Sequence, residues 1–231
     1  LRDGVVDIAI IGENLLVEKG DDISIKEKLG FSKCRVSIAI PKDDIYKGIE
    51  SLTGMKIATS YPNTVKRFLA EKGIEAELHI INGSVEIAPN IGLSDAICDI
   101  ISSGSTLFKN NLKEVEVLFK SEAVLASSIT LDGEKNDILK KLQFRIQSVL
   151  KGRQSKYILM NVPNESIDKI SSILPVLKSP TVLPLAEPGW SSLHSVVNEG
   201  KFWEVIDELK AAGAQDILVC PVEKTVSYTH L

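Results

Sequence analysis

The chain has few of the residues that define several functional classes. Its three cysteines, Cys34, Cys98 and Cys220, are far apart and set among apolar residues. This spacing argues against a disulfide framework or a zinc-binding cluster, and we expect buried, reduced thiols. Histidine is equally scarce, at three residues. The sequence shows no convincing Ser-His-Asp arrangement and no metal-ligand cluster, so no residue is assigned to a metal.

Long apolar runs and excess positive charge are also missing. No run approaches the roughly 20 apolar residues that span a bilayer, and the first residues lack a signal-peptide pattern. The formal net charge of −4 argues against nucleic-acid binding and a polybasic membrane patch. With 44% hydrophobic and 25% charged residues among 231, the composition is that of an ordinary globular protein. We therefore expect a cytoplasmic protein with no nucleic-acid or membrane partner.

Both ends of the chain depart from an orderly pattern. Residues 3–12 read as an apolar strand of the kind found inside parallel sheets, yet no strand or helix precedes it. We expect that the first lobe is incomplete and that N-terminal strands are missing. Residues 225–231 show no amphipathic logic and are interpreted as a non-native tail, so His230 is excluded from every site.

Short apolar strands and short helical segments alternate through the first part of the chain. Strands are predicted at residues 34–40, 56–60, 76–81 and 96–101, and a helix at 64–72. This alternation predicts an α/β unit with a largely parallel sheet. Ligands bind such sheets at the carboxyl ends of the strands, where Ser60, Gly83 and Ser102 fall.

The pattern changes after a long amphipathic helix predicted over about residues 136–151. The following segments read as strand, helix, two strands, helix and strand. Strands are predicted at residues 156–162, 181–186, 191–197 and 216–222. This β-α-β-β-α-β order predicts a ferredoxin-like domain.

Residues 99–106, with the sequence DIISSGST, carry the clearest chemistry of the chain. Gly104 lets a backbone turn come close to a ligand, and exposed N–H groups at a helix start favour an anion. Asp99 can accept hydrogen bonds from sugar hydroxyls or hold a metal ion beside a pyrophosphate. The hydroxyls that can donate to phosphate oxygens are those of Ser102, Ser103, Ser105 and Thr106. The segment predicts a phosphoribose site, and a strand-turn-helix corner with a serine N-cap is the alternative.

Several runs resemble one family. Residues 7–14 (DIAIIGEN), 57–62 (IATSYP), 82–86 (NGSVE) and 95–107 (DAICDIISSGSTL) are similar to ATP phosphoribosyltransferase, the first enzyme of histidine biosynthesis. The similarity runs from Asp3 to Lys224 and includes the regulatory domain of the long form. It implies an α/β fold with a two-lobed, periplasmic-binding-protein-like catalytic region and a ferredoxin-like βαββαβ domain. The implied limits are 1–35 with 119–151 for one lobe, 36–118 for the other, and 153–224 for the regulatory domain.

The resemblance also implies the site. Phosphoribosyl pyrophosphate is expected at Asp99, Ser102, Ser103, Gly104, Ser105 and Thr106, with Asp99 and Thr106 as the catalytic residues. The nucleotide ATP is expected at Glu13, Tyr61 and Glu86, with Mg²⁺ on the phosphates. Each of these three has a structural alternative: Glu13 at a strand end, Tyr61 as a packed turn residue, and Glu86 in a capping pair with Gly83-Ser84.

Regulation is the last implication of the resemblance. Histidine is expected as a feedback inhibitor near Asn161, Thr181, Val196 and Asp216, in a homo-oligomer that is a dimer or a hexamer. Turn or cap roles are the alternative for the Asp and Asn residues. The rival functions are a solute-binding module and a catalytically inactive regulatory paralogue, each with a small-molecule sensor domain.

Overall fold

A computed structural model describes residues 1–20, 22–174 and 179–226. Two compact units are present, Leu1–Asn136 and Asp137–Leu231. Within the described ranges, no helix combines the length and apolar character needed to cross a membrane. Residues 225 and 226 of the predicted tail are irregular, and residues 227–231 lie outside the described ranges.

The first unit contains strands that belong to two separate sheets. Its elements in chain order are β1 (Ile8–Gly12), α1 (Glu13–Lys19), β2 (Ile23–Lys28), β3 (Cys34–Pro41), β4 (Lys56–Thr59), α2 (Pro62–Lys72), β5 (Glu77–Ile80), β6 (Ala96–Ile101), α3 (Ser105–Lys109), β7 (Leu112–Ser121) and β8 (Ala123–Ser128). Short 3₁₀ turns cover Ile49–Leu52, Val85–Ile87 and Pro89–Ile91. A long helix, α4 (Gly133–Arg153), follows β8.

The two sheets have the orders β1-β8-β2 and β5-β4-β6-β3-β7. The chain leaves the three-stranded sheet after β2 and returns to it at β8, so it passes twice between the sheets. This is the two-sheet α/β plan that the resemblance implied, and the predicted fold class is confirmed.

The predicted strand directions were wrong in two places. Strand β1 pairs antiparallel with β8, and its Ile10 is 59% exposed, so β1 does not lie inside a parallel sheet. The five-stranded sheet is parallel only where β4 pairs with β5 and β6, and it is antiparallel at β3 and β7. An apolar run reports burial and carries no information about the direction of the neighbouring strand.

The central strands of the five-stranded sheet are apolar on both faces. Ile38 and Ile57 point into one cluster, and Ala39 and Ala58 point into another. Because successive side chains of a strand alternate between faces, these clusters lie on opposite sides of the sheet. The continuous apolar runs in the sequence therefore reflect a sheet that is covered on both sides. Cys98 is buried there as expected, Cys34 is half-buried, and Cys220 is exposed, contrary to the expectation.

The second unit has the predicted β-α-β-β-α-β order. After α4 it continues with β9 (Ser155–Pro163), α5 (Ile167–Ile173), β10 (Thr181–Pro184), β11 (Trp190–Asn198), α6 (Glu199–Ala211) and β12 (Gln215–Pro221). Its sheet has the order β10-β11-β9-β12, and every pair is antiparallel, which is the ferredoxin-like arrangement. One face carries Ile158, Met160 and Leu193, which are buried with Ile170 of α5 and Phe202 of α6.

Replacing Leu193 by alanine tests this core. Leu193 is fully buried, so Leu193→Ala should lower the free energy of unfolding of the second unit by about 2–5 kcal/mol through lost burial and the cavity left behind. Both tryptophans, Trp190 and Trp203, lie in this unit, so tryptophan fluorescence during urea unfolding reports on it. Leu183→Ala on β10, where the side chain is 49% exposed, is the control and should change stability by less than about 1 kcal/mol. Equal losses in the two variants would contradict the packing described here.

Candidate active site

Three parallel strands deliver their following loops to the same edge of the five-stranded sheet. Strand β4 leads through Ser60 into α2, β5 leads into residues 81–84, and β6 leads into residues 102–104. The Ser60 hydroxyl donates to the carbonyl oxygen of Ile81 at 2.7 Å, which ties the first two of these loops together. Ser60, Gly83 and Ser102 therefore lie at the sheet edge where ligands bind in α/β proteins.

The turn after β6 keeps its hydroxyls exposed. Gly104 has φ +79° and stands at the start of the short helix α3 without a side-chain cap, so the serine N-cap alternative does not describe this corner. Among the described residues, nothing lies within 4 Å of the position that a Cβ on Gly104 would take. The hydroxyls of Ser103 and Ser105 lie 3.0 Å apart. The turn is thus open on its outer side and rich in hydrogen-bond donors.

A cavity of about 330 Å³ opens beside this turn, and we call it the loop cavity. Its polar lining comes from Glu86, Asp99, Ser102, Ser103, Gly104 and Thr106. Such a volume is within the range of small-ligand sites. The structure brings these predicted residues together, while Ser105 is exposed beside the cavity and is not part of its lining. Glu86 faces the cavity, and Ser84 makes no side-chain cap of the turn Val85–Ile87.

Asp99 is a partly buried carboxylate in the lining of the loop cavity. Burial raises the pKa of Asp99 above its ordinary value, the hydrogen bond from the Ile100 N–H (2.8 Å) lowers it, and the charge of Glu86 raises it further. The Asp99 carboxylate has therefore lost hydration that its protein contacts replace only in part. Sugar hydroxyls or a cation would restore those interactions. In the described ranges, no group of three or more His, Cys, Asp or Glu residues is placed to hold a metal ion.

Tyr61 is held in place by residues that lie far away in the sequence. Its side chain is buried, and its hydroxyl accepts a hydrogen bond from Asn14 Nδ2 at 3.0 Å. Asn14 is fixed in turn by Ser121, whose hydroxyl donates to Asn14 Oδ1 (3.1 Å) and accepts from the Asn14 N–H (3.0 Å). Burial raises the pKa of Tyr61, so the phenol stays protonated at neutral pH. A phenol that accepts one hydrogen bond keeps its own proton for donation.

Glu13 does not line the loop cavity, and its carboxylate is paired with a lysine. Its carboxylate lies 3.0 Å from Lys28 Nζ, and the residue forms the first turn of α1. A second cavity, of about 530 Å³, is lined in part by Gly12 and Asn14, which flank Glu13 in the sequence. Glu13 itself is not part of this lining. This second cavity shares Ile100 and Ser102 with the loop cavity, so the two are adjacent.

The start of α2 is capped by a carboxylate from another helix. Glu18 of α1 is buried and accepts hydrogen bonds from the N–H groups of Asn63 (3.0 Å) and Thr64 (2.8 Å) and from the Thr64 hydroxyl (2.7 Å). A carboxylate at this point satisfies free N–H groups and complements the helix dipole. Glu18 therefore joins α1 to the first turn of α2.

In the second unit, two of the four predicted inhibitor residues are in contact. Asn161 Nδ2 donates to Asp216 Oδ2 at 3.0 Å, and Asp216 has φ +49° at an irregularity of β12. Thr181 lies on β10 and Val196 on β11, so the four residues spread across the sheet. Asn161 and Val196 alternate with buried neighbours and lie on the face away from the helices.

Three site residues escaped the sequence analysis. Asn14 and Glu18 each act on partners 45 or more positions away, and Arg35 of β3 contacts the turn after β6. A polar residue inside an apolar run, such as Arg35 between Cys34 and Val36, was the one available signal.

An open turn of hydroxyls beside an incompletely solvated carboxylate, at the carboxyl edge of an α/β sheet, is typical of enzymes that bind a phosphorylated ligand. The family described as ATP phosphoribosyltransferase matches residues 1–148, and the one described as HisG, C-terminal domain, matches residues 152–224. The chain belongs to the ATP phosphoribosyltransferase family. It is a transferase of histidine biosynthesis, as the sequence predicted.

Individual relatives agree with this assignment. The ATP phosphoribosyltransferase of Cytophaga hutchinsonii is 57% identical over 226 residues, which cover 98% of this chain and 79% of that relative. The one of Phocaeicola vulgatus is 54% identical over 223 residues, covering 96% and 79%. Among solved structures, the ATP phosphoribosyl transferase (HisG:HisZ) complex from Thermotoga maritima aligns with a TM-score of 0.57 and 30% identity, covering 65% of this chain and 73% of that chain.

Replacing Asp99 by asparagine tests the electrostatics of the loop cavity. Because burial raises the pKa of Asp99, its charged form is less favourable in the folded than in the unfolded chain. Asp99→Asn should therefore raise the free energy of unfolding at neutral pH. The gain should shrink as the pH falls through the raised pKa towards the ordinary value, where aspartate is protonated in both states.

Urea unfolding between pH 4 and 8, an interval chosen to bracket that titration, measures this effect. Asp43→Asn at an exposed position gives the baseline for the loss of one carboxylate. A gain that grows in acid, or a gain equal to that of the Asp43 variant, would contradict the assignment.

Proposed function

We propose that the chain condenses ATP with phosphoribosyl pyrophosphate to N1-(5-phosphoribosyl)-ATP and pyrophosphate. The observation that carries this proposal is the loop cavity, where Asp99 and the exposed hydroxyls of the turn meet Glu86. The hydroxyls of Ser102, Ser103, Ser105 and Thr106 and the turn at Gly104 bind the 5-phosphate. The Asp99 carboxylate accepts hydrogen bonds from the ribose hydroxyls, which replace its lost hydration.

Catalysis in this proposal rests on placement. The reaction joins N1 of adenine to C1 of the ribose while pyrophosphate leaves, and N1 already carries a lone pair. No strong general base is needed, and the protein acts by holding both substrates and stabilising the developing charge. In this proposal Asp99 contacts the ribose hydroxyls and Thr106 contacts the 5-phosphate, and these two are the catalytic residues.

The nucleotide is assigned to the neighbourhood of Glu13, Tyr61 and Glu86. Support comes from Tyr61, which Asn14 holds in a fixed position, and from Glu86 in the lining of the loop cavity. The second cavity meets the loop cavity at Ser102, so two substrates have room to lie side by side. Glu13 takes part through its segment, because Lys28 pairs with its carboxylate.

Mg²⁺ fits this site through the chemistry of its donors. The carboxylates of Asp99 and Glu86 line one cavity, and Mg²⁺ is usually bound by one or two carboxylates together with substrate phosphates. When bound, the ion neutralises the charge of the pyrophosphate. Asp99 and Glu86 would hold it.

Regulation and organisation complete the proposal. Histidine acts as a feedback inhibitor at Asn161, Thr181, Val196 and Asp216, for which the contact between Asn161 and Asp216 is the structural support. The chain works as a homo-oligomer, dimer or hexamer, in the cytoplasm. Residues 1–35 with 119–151 and residues 36–118 are the two catalytic lobes, and 153–224 is the regulatory domain, which the positions of the three sheets support.

The reaction itself is tested by an ultraviolet assay of the full-length enzyme. Absorbance should rise only when ATP and phosphoribosyl pyrophosphate are both present, as the adduct forms. Calorimetry should show binding of phosphoribosyl pyrophosphate, which a solute receptor would ignore. Histidine binding without any turnover would instead support an inactive regulatory paralogue.

Thr106→Val tests the phosphoribose assignment. Valine keeps the shape of threonine and removes the hydroxyl of this residue in the lining of the loop cavity, so one proposed hydrogen bond to the ligand is lost. The KM for phosphoribosyl pyrophosphate should rise about tenfold, and the KM for ATP should stay within about twofold. Thr53→Val, at an exposed position outside the site, is the matched control and should change neither constant. An unchanged KM for phosphoribosyl pyrophosphate in the Thr106 variant would rule out this role.

Asp216→Asn tests the inhibitor assignment. Asparagine tolerates the positive φ of this position, so the change removes the charge and leaves the backbone in place. If Asp216 binds the inhibitor's amino group, the histidine concentration for half inhibition should rise about tenfold. The measurement is the ratio of rates with and without histidine, and Asp207→Asn on the exposed side of α6 is the control. Equal inhibition of both variants would remove Asp216 from the site.

A further inference from the structure

Arg35 of β3 makes three hydrogen bonds that connect the turn after β6 to strand β7. Its Nη1 donates to the carbonyl oxygen of Ser102 at 3.1 Å. Its Nε and Nη2 donate to the two carboxylate oxygens of Glu114, at 2.5 and 2.6 Å. Neither Arg35 nor Glu114 lines the loop cavity.

The sheet explains why these three groups meet. On one side, Arg35 of β3 is the register partner of Ile101, the last residue of β6, and Ser102 follows directly. On the other side, β3 pairs with β7, which carries Glu114. The carbonyl group, the guanidinium and the carboxylate thus come from three neighbouring strands or their ends. The register between β3 and β6 places Arg35 beside the start of the turn.

The carboxylate fixes the guanidinium in one orientation. Two parallel hydrogen bonds from a planar guanidinium to a carboxylate form a rigid fork, which a lysine cannot form. The two side chains are 30% and 24% exposed, so the pair is partly shielded from water. The fork leaves Nη1 of Arg35 free to donate the third hydrogen bond, which goes to the carbonyl oxygen of Ser102.

The bond to the Ser102 carbonyl also orients the next N–H group. The carbonyl of Ser102 and the N–H of Ser103 belong to one planar trans peptide, in which they point in opposite directions. Arg35 holds the carbonyl on its own side, so the Ser103 N–H is turned away from Arg35. Ser102, Ser103 and Gly104 all line the loop cavity, which is where a ligand would meet this peptide.

We propose that Arg35, braced by Glu114, is a positioning residue that locks the Ser102–Ser103 peptide so that its N–H group binds the phosphate of the phosphorylated sugar. The inference rests on the proposed function, because it takes the loop cavity as the phosphate site. Arg35 acts through the peptide, and its substitution affects one substrate only.

A pair of variants with a matched control tests this role in the full-length enzyme. Arg35→Lys keeps the positive charge and loses the pair of parallel hydrogen bonds to Glu114. Glu114→Gln keeps Arg35 and removes one of the two carboxylate oxygens that accept from it. Each should raise the KM for phosphoribosyl pyrophosphate about tenfold and leave the KM for ATP within about twofold. Glu116→Gln, on the same strand, removes the same charge where Tyr46 donates to the carboxylate, and it should leave both constants unchanged.

The double variant Arg35→Lys/Glu114→Gln completes a thermodynamic cycle. If the pair acts as one unit, its KM for phosphoribosyl pyrophosphate should be close to that of the single variants, because the second change removes nothing more. Thermal unfolding of each variant shows that the fold is intact. If Arg35→Lys does not fold, Glu114→Gln alone carries the test.

Three results would overturn the inference. The first is an unchanged KM for phosphoribosyl pyrophosphate in both single variants, and the second is an equal rise of the KM for both substrates. The third is a large effect of Arg35→Lys with none of Glu114→Gln, which would make Arg35 a direct phosphate ligand. Thr106→Val distinguishes a failure of the positioning role of Arg35 from a failure of the phosphate assignment of the loop. If Thr106→Val raises this KM and the Arg35 and Glu114 variants do not, the positioning role fails alone, and if none raises it, the loop assignment fails.

Discussion

Three parallel strands, β5, β4 and β6, end at the same edge of the five-stranded sheet, and the candidate site depends on this alignment. Parallel strands need crossover connections, so each strand end continues into a separate loop at that edge. The turn with Gly104, the segment with Glu86 and the start of α2 are brought together in this way. A register shift of one residue between β4 and β6 would turn Asp99 to the other face of the sheet.

Buried polar contacts then connect this edge to the helix that follows β1. Asn14 reaches Tyr61 and Ser121, and Glu18 caps α2, so both helical turns of α1 are committed to partners in distant segments. Buried polar groups are costly unless they are paired, and here each of the two side chains has at least two partners. The arrangement leaves Tyr61 in one position, which a solvent-exposed tyrosine would not keep.

Local patterns were enough for much of the fold. The β-α-β-β-α-β order of the second unit could be predicted because its apolar runs and its two segments with helical spacing are separated by turn residues such as Pro188-Gly189. Helix α1 was missed because seven residues are too few for a helical period to emerge, and β2 was missed because charged residues interrupt its apolar positions. The direction of β1 was wrong, since its partner β8 lies more than 100 residues away.

The sequence by itself determined which residue types the candidate site offers: the carboxylate, the hydroxyls and the glycine of residues 99–106 are contiguous, and local composition is all that this prediction required. It also determined the family, because the matching runs are linear. Only the tertiary structure decided which distant groups act on that turn. Arg35 and Glu114 are 79 positions apart and meet because β3 lies between β6 and β7, and strand order is set by long-range pairing that no local pattern encodes.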